Sequence, residues 1–182
     1  MSLSSTAVVL PPWAIVNEKR RAHIARVTTL LDNWGEQLGL DAAARQAWHD
    51  AGAWHDALRD ASDLELRAEV GNDPRPTSVL HGPAAATRLA REGERREDVL
   101  EAIRWHTLGN PEWGPTGRAL FMADFLEPGR PFMHGDRAFL AAHLPHDFDG
   151  VFRQVVRMRL EWTLREGKPV FPETVALWNR VQ

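Results

Sequence analysis

The sequence contains no cysteine, and only two of its 22 basic residues are lysines, Lys19 and Lys168. The absence of cysteine excludes disulfides, thiolate metal sites and a cysteine nucleophile. No run approaches the roughly 18 apolar residues that a membrane-spanning helix needs. The net charge of −3 gives no general attraction to nucleic acid or acidic lipid. The apolar run near the N-terminus lacks a basic segment before it and is interrupted by Pro11 and Pro12, unlike a signal peptide. We therefore expect a cytoplasmic protein without a membrane or nucleic-acid partner.

Strand-like alternation is also scarce, and helical periodicity dominates the chain. A length of 182 residues suits one domain with a sizeable core. We predict an N-terminal extension over residues 1–16 and a single all-α helical bundle over residues 17–182. The predicted helices cover, approximately, residues 17–38, 42–58 with Asp41 as N-cap, 83–91 opened by Pro83, 96–107, 115–127 and 148–166. Stretches rich in proline and glycine, such as "GNDPRP", are predicted as loops.

Two His-Asp pairs stand close together in "WHDAGAWHDALRD", residues 48–60. At 100° per residue, His55 lies at the edge of the apolar stripe of its helix, whereas His49 lies roughly opposite that stripe. We therefore predict that His55 and Asp56 face the interior. The pair His49 and Asp50 is interpreted as solvated surface.

Other polar residues also face inward in the predicted helices. His23 and His106 continue the apolar stripes of their helices, Asp124 follows an apolar residue at i+4, and His81 stands just before Pro83. A lone inward histidine is more often a hydrogen-bonded core residue than a ligand. A buried charge without a partner costs several kcal/mol, however, and a shared cation would satisfy the whole set. Imidazole and carboxylate ligands suit iron, manganese, cobalt or zinc.

Four further stretches make the pattern more specific: "VLHGPAAA", "EAIRWHTLG", "MADFLEPGR" and "KPVFPET". With the His-Asp pair, they resemble the signatures of the YqeK family of the HD phosphohydrolase superfamily, in the same order over about residues 20–178. A His-Asp pair alone is a weak signal, but "IRWHTLG" followed by "ADFLEPGR" is a strong one. The resemblance implies a single HD-domain helical bundle that splits diadenosine tetraphosphate symmetrically into two ADP. It also implies a dinuclear metal centre, usually of iron, with manganese or cobalt as alternatives.

Carried over residue by residue, the resemblance implies six metal ligands. One metal would be bound by His23, His55, Asp56 and Asp124. The other would be bound by His81 and His106, with Asp56 bridging both. Such a pair lowers the pKa of a bound water and holds phosphate oxygens as charge develops.

The resemblance also implies residues that act on the substrate. Asp56 and Arg59 would be catalytic, and Arg59 with Arg130 would hold the polyphosphate, because a guanidinium pairs with phosphate in a bidentate manner. Thr107 and Gly109 would shape the wall of the pocket. Arg59 stands where relatives usually have lysine, and the two residues are not equivalent where geometry is tight.

The segment between two of the implied ligands is short, with 26 residues from His55 to His81. In the family this segment helps to enclose the substrate, so its length leaves the binding of a second nucleoside open. Two alternative functions therefore stand beside the leading one. The first is hydrolysis of another nucleotide or phosphate ester, and the second is non-catalytic regulation through nucleotide binding.

Several other residues have simpler interpretations. Asp147, beside two histidines in "HLPHDFDG", is predicted to be the N-cap of the following helix. Glu127 is predicted to have a structural role at a helix end. One of three tryptophans near the implied site residues in sequence is a candidate for stacking on adenine: Trp54, Trp105 or Trp113.

Overall fold

The computed structural model describes residues 8–182, and these residues form α-helices without any β-strand. The predicted all-α bundle is therefore confirmed. The helices in the described range are α1 Glu18–Gln37, α2 Ala42–Trp54, α3 Asp63–Val70, α4 His81–Arg91, α5 Glu97–Trp105, α6 Pro115–Leu126, α7 His134–His143, α8 Phe148–Arg165 and α9 Pro172–Arg180. None of these helices is long and apolar enough to cross a membrane.

Side-chain caps fix the starts of four of the described helices, α1, α2, α3 and α8. Asn17 accepts a hydrogen bond from the backbone N–H of Arg20 at the start of α1. Asp41 caps α2 in the same way, and Asp147 caps α8 by accepting from the N–H of Gly150 at 3.0 Å. Each side chain satisfies a donor that has no partner within its own helix. The predicted caps Asp41 and Asp147 are thus confirmed.

Helices α3, α7 and α9 were not predicted. The start of α3 carries a capping box between Ser62 and Glu65, a recognisable signal that short length and weak apolar periodicity obscured. The start of α4 is two residues earlier than predicted. A 3-10 turn over Thr77–Val79 runs directly into it, so the helix begins at His81 and Pro83 falls within the first turn, where its missing N–H costs nothing.

Helix α6 occupies the centre of the bundle, and nearly all of its side chains are buried. It contacts α1, α2, α5, α7 and α8. This explains why its sequence is apolar on every face rather than amphipathic. A carboxylate on this helix, such as that of Asp124, is therefore held deep in the bundle.

The segment before α1 packs against the domain. Residues 1–7 of the predicted extension lie outside the described residues. Within the described part, the indole N–H of Trp13 donates to Glu92 at 2.6 Å. The N–H of Ile15 donates to the carbonyl of Ala57, and the N–H of Asp60 donates back to the carbonyl of Ile15. The segment is thereby fastened to the turn that follows α2.

Candidate metal centre and active-site cavity

The six residues implied as metal ligands converge from five helices and their ends. They are His23 on α1, His55 and Asp56 just after α2, His81 at the start of α4, His106 just after α5, and Asp124 on α6. All are buried, with at most 8% of any residue exposed. The inward orientation predicted for these side chains is correct.

Asp56 stands between two groups of imidazole rings. Its Oδ2 lies 3.6 Å from Nε2 of His23 and 3.6 Å from Nε2 of His55. Its Oδ1 lies 3.2 Å from Nε2 of His81 and 3.4 Å from Nε2 of His106. Each oxygen of one carboxylate thus faces a different histidine pair, and in each group the potential ligand atoms lie within 4.8 Å of one another.

Asp124 lies next to the first of these groups. Its Oδ1 lies 3.1 Å from Nε2 of His23, so a second carboxylate stands beside that imidazole. The groups of potential ligands are His23, His55 and Asp56 on one side and Asp56, His81 and His106 on the other, and the assignment of these residues to two metal ions stays a prediction.

The hydrogen bonds of the imidazole rings suit metal binding. Nδ1 of His55 lies 2.8 Å from the carbonyl of Gly52, and Nδ1 of His106 lies 2.7 Å from the carbonyl of Ile103. A carbonyl only accepts, so Nδ1 carries the proton and Nε2 keeps a free lone pair. Nε2 of His55 is buried without a hydrogen-bond partner in the described part of the chain. A divalent cation would satisfy this atom, and Nε2 of His23 faces the carboxylates of Asp56 and Asp124, so the donor set fits a metal.

Two glycines allow the helices that carry the ligands to approach each other. A Cβ on Gly52 would lie 2.8 Å from the side chain of Leu31 and 3.1 Å from Cα of Thr28, which brings α2 against α1. A Cβ on Gly82 would lie 2.6 Å from the carbonyl of Ile103, which brings α4 against the end of α5. Any larger residue would force the backbones apart. The close contacts of α2 with α1 and of α4 with the end of α5, which bring each histidine pair together, therefore depend on these two glycines.

Burial and charge set the protonation of the site in the direction that metal binding requires. Burial lowers the pKa of His55 to about 4 and also lowers the pKa of His81, which favours neutral imidazoles. Burial acts to raise the pKa of Asp56, but the surrounding histidines hold it well below its usual range. Burial also opposes ionisation of Asp124, but the charge of Arg130 keeps its pKa well below the usual value.

His23 is the exception among the imidazoles. Burial lowers its pKa, but the adjacent carboxylates of Asp124 and Glu127 outweigh burial and raise the pKa to about 9. The same carboxylates that favour a proton on His23 would equally favour a bound cation beside it.

Glu127 combines its predicted helix-end position with a second role. It follows the last residue of α6, is almost fully buried, and lies 3.1 Å through Oε1 from Nδ1 of His23. The N–H of Gly129 and the guanidinium of Arg26 donate to its other oxygen at 2.6 Å and 2.5 Å. A carboxylate that is fixed in this way orients a ligating histidine.

The candidate metal centre opens into a cavity of about 550 Å³. Its basic lining residues are Arg20, Arg59, Arg130, Arg159 and Lys168. Arg20 donates to Oδ2 of Asp56 at 2.7 Å, and Arg130 donates to Oδ1 of Asp124 at 2.5 Å. Arg159 reaches the other oxygen of Asp124 at 3.4 Å. Positive charge therefore surrounds the mouth of the metal site.

Of the other predicted substrate residues, Arg59 and Thr107 line the cavity and Gly109 does not. The guanidinium of Arg59 lines the cavity and makes no hydrogen bond to the described residues. Thr107 also lines the cavity, with Oγ1 3.5 Å from Nε2 of His81. Gly109 lies behind the cavity wall, where a Cβ would overlap the side chain of Leu177 and where φ is 91°. Packing and backbone conformation explain this glycine.

None of the three tryptophans proposed for stacking lines this cavity. The indole N–H of Trp54 donates to the carbonyl of Val9, and the indoles of Trp105 and Trp113 both donate to Glu101. Nearness to a ligand in sequence does not fix the direction of a side chain. The cavity instead contains a tryptophan from α8, Trp162, together with Phe171 from the segment before α9.

The interpretation of the first His-Asp pair as solvated surface is wrong. His49 is 8% exposed, and its Nδ1 lies 3.0 Å from Oδ1 of Asp32. Asp50 is 9% exposed and accepts from the guanidinium of Arg96 at 2.8 Å. Helix α2 is covered on two sides, by α1 and by the segment before α5, which a single apolar stripe does not reveal. These residues nevertheless lie outside the candidate metal centre.

Two basic residues of the site were missed although the sequence carries signals for both. Arg20 precedes His23 by three residues and therefore shares its helix face. Arg159 follows Val155 at i+4 and Val156 at i+3, so it continues the apolar stripe of α8. An arginine that continues an apolar stripe is therefore a candidate site residue, as an inward histidine is.

The fold and this centre define a class of protein: an all-helical domain whose adjacent His-Asp pair joins histidines from other helices in a potential metal-binding site. The HD domain family model matches residues 20–131, which is more than half of the chain. The chain belongs to the HD domain family. The six implied ligands all fall within the matched range.

Several known proteins are similar to this chain over most of its length. A Bacillus subtilis (strain 168) protein named "Bis(5'-nucleosyl)-tetraphosphatase, symmetrical" is 26% identical over 172 residues, covering 90% of each chain. A Staphylococcus aureus protein of the same name is 27% identical over 170 residues, covering 89% of this chain and 86% of that one. A Clostridium acetobutylicum crystal structure, described as a predicted HD superfamily hydrolase involved in NAD metabolism, is 24% identical. It superimposes with a TM-score of 0.77 over 91% of this chain and 90% of that one, which supports the fold. The resemblance seen in the sequence is thereby confirmed.

Proposed function

We propose that this chain hydrolyses diadenosine tetraphosphate symmetrically to two ADP with the help of two divalent metal ions. The observation that carries the proposal is the position of Asp56, whose two oxygens face two separate histidine pairs. Similar proteins of nearly the same length carry the name of this activity. Iron is the first candidate for the metal, with manganese or cobalt as alternatives, because all three accept imidazole and carboxylate ligands.

The first metal ion would be held by His23, His55, Asp56 and Asp124, and the second by His81, His106 and the shared Asp56. Bound ions supply a water of lowered pKa and positive charge beside the phosphate oxygens. The side chains around the metal ions would bind the polyphosphate, orient it and limit the access of water.

Guanidinium groups suit the binding of a chain of phosphates. Arg20, Arg130 and Arg159 each contact a carboxylate of the centre, so they would place phosphate oxygens next to it. Arg59 faces the cavity without a hydrogen bond to the described residues, so its planar fork is available for a phosphate. Because the centre is buried, these interactions are stronger than they would be in water.

The buried imidazoles favour an enzyme over a regulator that only binds nucleotides. A binding protein would make use of the arginines that line the cavity. It would have no use for the unpartnered Nε2 of His55 beneath them, because an unsatisfied buried nitrogen costs stability.

Product analysis tests the proposal. We expect the full chain, loaded with manganese or iron, to convert each diadenosine tetraphosphate into two ADP and no other nucleotide, and to stop when a chelator is added. Chromatography of the products at early times measures this. The appearance of AMP with ATP, or the absence of turnover with any of these metals, would contradict the proposal.

A further inference from the structure

Basic and aromatic residues of α8 line different parts of the cavity wall. The guanidinium of Arg159 reaches Asp124 in the metal centre. Trp162 and Thr163 line the cavity about one helical turn further along α8, or roughly 5 Å along its axis. The ring of Trp162 lies 3.9 Å from Nζ of Lys168, which belongs to the same wall. A nucleoside lying against this wall would extend its phosphates toward the arginines.

Trp162 is the aromatic residue best suited to contact a base. It is 41% exposed, whereas Phe121 and Phe125 in the same lining are at most 7% exposed. The ring of Phe132, also in the lining, is only half-buried but packs against the ring of Phe125 at 5.8 Å. Stacking on an indole is tolerant of base identity, because every base presents a π-face. Phe171 lines the cavity from the segment before α9 and is half-buried, so the described lining offers one exposed ring, the indole of Trp162.

Among the described residues, the walls away from α8 and the segment before α9 present no comparably exposed aromatic ring for a second base. Helix α1 and the turn after α2 contribute Arg20 and Arg59, which are charged. Helix α3 contributes no residue to the described lining, and the chain between α3 and α4 contributes only Pro76, Ser78 and Val79. The part of the chain that the sequence marks as short thus leaves the far side of the phosphates without an aromatic wall.

From this asymmetry we infer that the site holds one nucleoside and its phosphates, and that it also hydrolyses nucleoside 5′-tetraphosphates to a nucleoside diphosphate and pyrophosphate. The inference rests on the proposed function. The oxygen of a water molecule forms a bond to the second phosphorus from the held nucleoside, and the bridging P–O bond beyond that phosphorus breaks. Pyrophosphate leaves in place of the second ADP, one water is consumed, and no oxidant or second reactant is needed.

The test compares two substrates on the same metal-loaded full-length protein. We expect adenosine 5′-tetraphosphate to yield ADP and pyrophosphate with a kcat/KM less than about tenfold below that for diadenosine tetraphosphate. A loss of tenfold or more, which is about what one stacked base contributes, would overturn the inference while leaving the proposed function intact. Release of ATP and phosphate would also overturn it, because the nucleoside would then not set the cleavage position. Failure of both substrates would overturn the proposed function as well.

Variants on α8 test the base contact itself. Trp162→Ala is expected to raise KM about tenfold for both substrates, because both place the same nucleoside on the indole. Leu164→Ala changes an exposed residue of the same helix that does not line the cavity, and it should leave both KM values unchanged. An effect of Trp162→Ala on the dinucleotide alone would contradict recognition of a single nucleoside.

Discussion

Asp56→Asn is expected to reduce turnover of diadenosine tetraphosphate by about a thousandfold or more. The two carboxylate oxygens face both histidine pairs, so the charge that both metal ions would share is removed in one step. Metal ions contribute several kcal/mol of transition-state stabilisation, and each 1.36 kcal/mol corresponds to about a factor of ten in rate. The measurement is kcat/KM for the metal-loaded variant beside the parent protein, with circular dichroism to confirm that the helices persist.

The first His-Asp pair, which lies within α2, provides a matched control. Asp50 lies six positions earlier on α2, is similarly buried, and pairs with Arg96 outside the metal centre. We expect Asp50→Asn to reduce stability but to leave kcat/KM within about threefold, since surroundings that touch no reacting group have small kinetic effects. Equal losses in the two variants would mean that Asp56 acts through the fold rather than through the site.

Arg137→Met is expected to lower the free energy of unfolding by at least about 3 kcal/mol. Arg137 on α7 is 1% exposed and donates to four backbone carbonyls, those of Phe125, Glu127, Arg130 and Phe132. Without the guanidinium these carbonyls lose their donor, and each buried acceptor left unsatisfied costs about 1–3 kcal/mol. Urea denaturation measures the change, and the melting temperature should fall by about 6–12 °C for a chain of this size.

Arg153→Ala is the corresponding control. Arg153 is exposed on α8 and donates to one backbone carbonyl, that of Val181. We expect its removal to change the free energy of unfolding by no more than about 0.5 kcal/mol, as is usual for surface substitutions. A small effect of Arg137→Met would show that the segment between α6 and α7 does not depend on the buried guanidinium.

The ligands that converge on Asp56 could be predicted because each is a polar residue on an otherwise apolar helix face. His23 and His106 continue stripes of i+3 and i+4 spacing, and Asp124 lies on a helix with hardly any polar surface. Periodicity alone gives only the direction of each side chain. The assignment of all of them to one centre required the resemblance to a family, since five separate helices supply the ligands.

The incorrect and missed predictions share one physical cause: they depend on contacts between helices, which the periodicity of a single helix does not encode. His49 lies opposite the main apolar stripe of α2, yet Asp32 from α1 and the segment before α5 cover that face. Helix α7 was not predicted, and the one side chain that it buries is the charged Arg137 rather than an apolar residue. The base-contacting candidate Trp162 depends on how α8 meets the segment before α9, which no local pattern encodes.

Metal stoichiometry tests the central claim most directly. The parent protein, purified without chelator and reconstituted with manganese or iron, is expected to bind two ions per chain. His23→Ala and His81→Ala are each expected to bind one, because each removes a ligand from a different group around Asp56. Elemental analysis after removal of loosely held metal gives the counts. A parent protein that retains no metal, or a single ion that both variants lose alike, would contradict a centre built from two histidine pairs around one shared carboxylate.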